Sequence, residues 1–159
     1  MNNTELITNF YQSFANGDAE AMVACYHDSI QFQDPAFGVL KGEDAKNMWR
    51  MLIGRNKGNI KISFSNVKAN EKTGSADWRA EYVFSVTGRK VINIISAEFE
   101  FKDGKIIKHT DSFDIYKWSK QALGMKGYLL GWTSFMQHKI QQQSNSLLKK
   151  YTASKAVNS

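Results

Sequence analysis

Leu6, Ile7, Phe10, Tyr11 and Phe14 recur one, three and four residues apart, the spacing of a helix with one wide apolar face. It predicts a helix over residues 3–15, capped by Asn3 or Thr4 and ended at Asn16-Gly17. Asp18 is placed to cap a second helix, with Met22, Cys25 and Tyr26 on its buried side. The period then changes to two, and Ile30, Phe32 and Asp34 share one face of a short strand over 30–34. Pro35, the only proline, disfavours helical geometry at Asp34 and sends the strand into a loop ending near Gly38. A third helix is expected over 42–53, with Ala45, Met48, Trp49, Leu52 and Ile53 along one side.

Longer alternating runs follow. In 60–69 the pattern Ile60, Ile62, Phe64 slips phase at Val67 and Ala69, which suggests a bulge. In 75–86 Trp78, Ala80, Tyr82, Phe84 and Val86 oppose Asp77, Arg79 and Glu81. In 91–102 Val91, Asn93, Ile95, Ala97, Phe99 and Phe101 share a side. Asp103-Gly104 is a strong hairpin signal leading into a strand over 105–118. That last strand aligns Ile107, His109, Asp111, Phe113 and Ile115. A carboxylate buried on such a face costs several kcal/mol or so unless paired or hydrated, so the face is expected to line a cavity.

Three helices interleaved with one short strand, then four strands joined largely as hairpins, argue for α+β: helices on one face of a curved, mostly antiparallel sheet. Between the layers lies a pocket, where Asp34, Asn93, His109 and Asp111 would meet. After a glycine-broken segment containing Leu129, Leu130 and Trp132, an amphipathic helix is expected over 134–151, needing a partner surface. Residues 1–132 are read as the body, and 133–159 as an added C-terminal helix and disordered tail.

At 159 residues the chain is one domain by default, long enough for a proper core. Its one cysteine, Cys25, cannot form an internal disulfide and reads as core packing. Without a basic-then-apolar leader or an apolar run near ~18 residues, the chain reads as cytoplasmic with no membrane partner. The net charge of +6 comes from scattered basic residues read as solvated surface. No nucleic-acid motif accompanies them, and an acidic partner stays open. Three histidines, His27, His109 and His138, lack close ligand spacing, so neither metal nor cofactor is expected.

The run FANGDAEAMVACYHDSIQFQDPAFG (14–38) resembles the entry segment of ketosteroid isomerases and their relatives. The run GRKVINIISAEFEFKDGKIIKHTDSFD (88–114), with WSKQALG (118–124), resembles the paired strands of the same superfamily. These relatives are the cone-shaped proteins akin to nuclear transport factor two and the SnoaL-like polyketide cyclases. The resemblance implies a cystatin-like roll over roughly 5–124, a fold that hosts many activities. It places the isomerase general base on Asp34. The two oxyanion donors of that family fall on Phe10 and Ala97, neither of which can donate. One such donor is worth about 3–4 kcal/mol of barrier, so steroid isomerisation by that mechanism is not expected. His109 and Asp111 are more like the acid/base pair of the SnoaL-like branch. Arg79, Glu81 and Asp111 look loosely like the catalytic set of limonene epoxide hydrolases, although strand phase turns Arg79 and Glu81 outward.

The expected function is a cofactor-free isomerase, cyclase or lyase acting on a small apolar carbonyl compound. Asp34 would be the base, His109 the donor to the substrate oxygen, and Asp111 the group orienting His109. Trp49, Trp78, Tyr82, Asn93, Phe99 and Phe113 would hold the substrate. The alternative is a non-catalytic small-molecule-binding or dimerising scaffold. A homodimer is expected through the outer sheet face, where Ile92, Ile94, Val83 and Ile106 would lie.

Overall fold

The computed structural model describes residues 1–56 and 58–157. Helices α1 (Asn3–Ala15) and α2 (Ala19–Ala24) lead into β1 (Tyr26–Asp34) and β2 (Gly38–Lys41). Helix α3 (Glu43–Asn56) precedes four strands: β3 (Lys61–Ala69), β4 (Thr73–Phe84), β5 (Arg89–Lys102) and β6 (Lys105–Ser112). Three helices close the chain, α4 (Ile115–Leu123), α5 (Met125–Leu130) and α6 (Ser134–Val157). The strands form one sheet in the order β2-β1-β6-β5-β4-β3, antiparallel throughout except where β1 runs parallel to β6. This is the expected α+β arrangement, with the N-terminal helices packed inside a curved sheet.

The local reasons are those of the sequence, with a few shifts. Asn2 caps α1 in a reciprocal box with Glu5, one residue before the expected caps. Asp18 caps α2 through the Ala21 amide. Asp103 and Gly104 both take positive φ, as a tight two-residue hairpin requires, and the β3 bulge falls between Ser65 and Lys68.

Other boundaries moved. Tyr26 does not extend α2; it opens β1, four residues before the predicted strand. Strand β2, read as loop, pairs back on β1. Strand β6 stops at Ser112 because the Asp114 side chain accepts the Lys117 amide and starts α4. Phe113 and Ile115 therefore leave the strand. A register shift opposite Glu100/Phe101 bulges β6 at Ile107, so Ile106, not Ile107, is buried in the core. That removes Ile106 from the outer face. The segment 115–130 forms two short helices, and α6 continues six residues beyond 151, to Val157. Residues 152–157 of the expected disordered tail are therefore helical, and residues 158–159 lie outside the described residues.

The main core joins α1, α3 and the inner sheet face, and it includes Leu148 of α6. A second cluster gathers Val91, Trp118, Ala122, Met136 and Ile140, so α6 is packed into both.

Candidate active site

Parallel pairing of β1 and β6 brings the two acidic side chains together. Phe32 pairs with His109 and Gln33 with Thr110, so the next step along the two strands brings Asp34 alongside Asp111, close enough for their charges to interact. On its other side Asp111 pairs with Ala97, a small residue that leaves room above the carboxyl. A cavity of about 440 Å³ opens there, lined among others by Asp34, Asp111, Trp78, Tyr82, Asn93 and Phe113. Such a volume lies within the range of small-molecule sites, about 300–1,000 Å³.

Asp34 is held by the turn that follows it. Its Oδ1 accepts the backbone amides of Ala36 at 2.9 Å and Phe37 at 2.6 Å. Burial nonetheless pushes its pKa up from 3.8 to about 7, and the nearby Asp111 charge adds to the shift. The two amides pull the other way without cancelling it. Helix α6 braces this turn from outside. Gln141 Nε2 donates to the Pro35 carbonyl at 3.1 Å and Asn145 Nδ2 to the Phe37 carbonyl at 2.8 Å.

His109 sits behind the cavity wall. Its ring is fully enclosed, 0% exposed, and both nitrogens are engaged. The indole Nε1–H of Trp49 donates to Tyr26 Oη at 2.9 Å, and Tyr26 Oη lies 2.7 Å from His109 Nδ1. His109 Nε2 lies 2.8 Å from Asp111 Oδ1, which also accepts the Trp78 indole at 3.3 Å. Indoles only donate and a carboxylate only accepts. A neutral His109 protonated on Nε2, with Tyr26 donating to Nδ1, gives every member a partner. Trp49 stacks at 15° to the imidazole, and Phe10 and Phe99 pack on it as well.

The predicted residues thus divide into two groups. Asp34, Asp111, Trp49, Trp78, Tyr82, Asn93 and Phe113 reach the cavity. His109 and Phe99 do not border it; Phe99 serves as a wall behind His109. Arg79 pairs with Glu81, which also takes Lys90, away from the cavity. Phe10 packs on His109.

Two contributions escaped the sequence. Tyr26, read as a helix face, completes the His109 chain. Gln141 and Asn145 showed only an i,i+4 polar spacing, with no sign of the turn they hold. Tyr82 has a further property: its Oη accepts the Trp118 indole at 2.9 Å, and among the described residues no group accepts its own proton. Burial raises its pKa, and the Asp34 charge adds to that. Asn93 makes no side-chain hydrogen bond among the described residues. Arg55 and Lys150 stand exposed on the lining, with no carboxylate partner among the described residues. No group of three or more His, Cys, Asp or Glu that could hold a metal occurs among the described residues.

A family model described as a SnoaL-like domain matches residues 7–109. None of the curated proteins matches the chain. Among solved structures, a candidate polyketide cyclase from Xanthomonas campestris pv. campestris is 18% identical, with a TM-score of 0.60 over 74% of this chain and 94% of that one. TerC, co-crystallised with polyporic acid, is 16% identical, with a TM-score of 0.63 over 75% and 96%. An epoxide hydrolase from M. tuberculosis, of the limonene-epoxide-hydrolase-like type, is 18% identical, with a TM-score of 0.58 over 79% and 91%. Identities this low establish the fold.

Proposed function

The chain belongs to the SnoaL-like domain family, and on that premise we propose a cofactor-free acid/base enzyme acting on an apolar carbonyl compound. The observation that carries the reading is Asp34, a carboxyl on the cavity wall with its pKa raised to about 7. A base tuned near neutrality combines adequate ionisation with adequate proton affinity. Asp34 would take a proton from the carbon beside the carbonyl. Tyr82, whose hydroxyl proton has no partner among the described residues, and Asn93 would donate to the oxygen as negative charge develops there. His109 would act one step removed, holding Asp111 in place from behind. Isomerisation, ring closure and elimination all begin with that proton transfer, and the bound substrate would decide among them.

Deuterium wash-in tests this without knowing the natural substrate. A panel of apolar ketones is incubated in D₂O and followed by NMR for exchange beside the carbonyl. The expected result is catalysed exchange of at least one member, rising with pH and levelling off above about 7. It should fall by about 10²–10⁴-fold in Asp34→Asn and by about 10²-fold or more in Tyr82→Phe. If no member exchanges and Asp34 titrates as an ordinary carboxylate, the enzyme reading is overturned and a binding scaffold replaces it. We further propose a homodimer through the outer face of β4 and β5, on a reduced set of apolar residues now that Ile106 is inside.

A further inference from the structure

Charge is distributed unevenly along this chain. Residues 115–159 contain seven lysines and no aspartate or glutamate, which leaves 14 basic against 15 acidic residues in the first 114. The whole positive surplus therefore sits in α4, α5, α6 and the residues around them. None of those lysines is in an ion pair among the described residues.

The same segment carries an unusual amount of exposed apolar surface. Met125, Tyr128, Leu129, Leu130, Trp132 and Phe135 all face solvent, Trp132 at 66% and Phe135 at 71% exposure. The reason lies in how α5 packs. It meets α4 through glycines: a Cβ added at Gly127 would collide with the Ser119 carbonyl, and one at Gly131 would come within 2.6 Å of Ser119 Cβ. With its glycines turned inward, α5 presents its large side chains outward. Such a patch on a single chain marks an interaction site.

We propose that the α5–α6 elbow docks on an anionic lipid surface. Trp and Tyr beside Leu and Phe, on helices that also carry Lys117, Lys120, Lys126 and Lys139, is the composition that settles at the boundary between headgroups and acyl chains. A second copy fits less well, because two-fold pairing of this face would set its unneutralised lysines against their equivalents. Absence of a membrane span is compatible with surface docking: no helix among the described residues is long and apolar enough to cross a bilayer, and lying on one requires none. Helix α6 also borders the cavity, through Ile140 and Leu147, as does α4, against which α5 packs, through Trp118 and Leu123. An apolar ligand dissolved in lipid would meet the protein close to its site. The inference is independent of whether Asp34 catalyses anything.

The test is co-sedimentation of the full chain with phosphatidylcholine vesicles, with and without one-third phosphatidylserine. Intrinsic fluorescence is read in parallel, since Trp49, Trp78 and Trp118 are buried and Trp132 alone faces solvent. Expected are binding at least about tenfold tighter to the anionic vesicles, weakening with salt, and a blue shift. Trp132→Glu with Phe135→Glu should abolish both while leaving the melting temperature unchanged, because neither side chain is in the core. Lys126→Glu with Lys139→Glu should weaken binding without removing the exposed aromatics. Failure of the wild-type chain to bind anionic vesicles, or binding indifferent to both pairs of substitutions, would overturn the proposal. So would concentration-dependent self-association lost in the Trp132/Phe135 variant.

Discussion

A carboxyl that keeps its proton to about pH 7 in the folded chain, against 3.8 as a free group, links folding to pH. Between those values the folded state holds a proton that the unfolded chain has released. Stability from this group is therefore lost as pH rises from about 4 to 7 and is level above that. The shift corresponds to at most about 4 kcal/mol. Asp34→Asn keeps an oxygen for the Ala36 and Phe37 amides but cannot ionise. Urea unfolding of both proteins at pH 5 and pH 8 should show the variant gaining on wild type by a few kcal/mol at the higher pH. An equal difference at the two pH values would mean that Asp34 is not held in the desolvated state described. His109 and Asp111 represent the opposite solution at the same scale, polar groups whose burial is compensated by hydrogen bonds to each other and to Tyr26 and Trp78.

Helix α6 carries two duties that its sequence pattern joins without advertising. Its apolar residues fill both clusters, while Gln141 and Asn145, one turn apart, hold the carbonyls of the 34–37 turn. The turn in turn supplies the two amides on Asp34. Asn145→Ala should therefore cost about 0.5–1.5 kcal/mol of stability and, more tellingly, speed hydrogen exchange at the Ala36 and Phe37 amides. Exchange there at the wild-type rate would mean that the turn stands without the helix. The β6 bulge acts over a similar span: one extra residue at Ile107 turns Ile106 inward while leaving His109 and Asp111 on the predicted face.

For the molecule as a whole, the outer sheet face is a second exposed apolar surface, apart from the α5–α6 elbow. Ile94 at 63% and Val83 at 54% exposure remain there, beside the Arg79–Glu81–Lys90 ion pairs. Sedimentation velocity at micromolar concentration should find a dimer, and Ile94→Lys with Val83→Lys should return it to monomer with little loss of fold stability. A wild-type monomer at that concentration would remove the homodimer from the account. This face lies on β4 and β5, whereas the elbow lies on α5 and α6, so substitutions separate the two surfaces.

Hydrophobic period decided much by itself: α1, α3 and the four later strands, and the shared inward face of Asp34, His109 and Asp111. Local turn chemistry decided Asp103-Gly104 and the Asp18 cap. These are properties of neighbouring residues, and a chain carries them before it folds. What escaped depended on distant partners. Tyr26 lies where a helix pattern and a strand pattern overlap, and pairing with β6 resolves it into a strand. Phe113 and Ile115 continue an alternating run, yet the Asp114 cap ends the strand beneath them. The sequence could place a histidine beside an aspartate, but only packing could enclose the one and leave the other at the cavity wall. Likewise the pKa of Asp34 follows from the desolvation imposed by elements that the chain brings together only in the folded state.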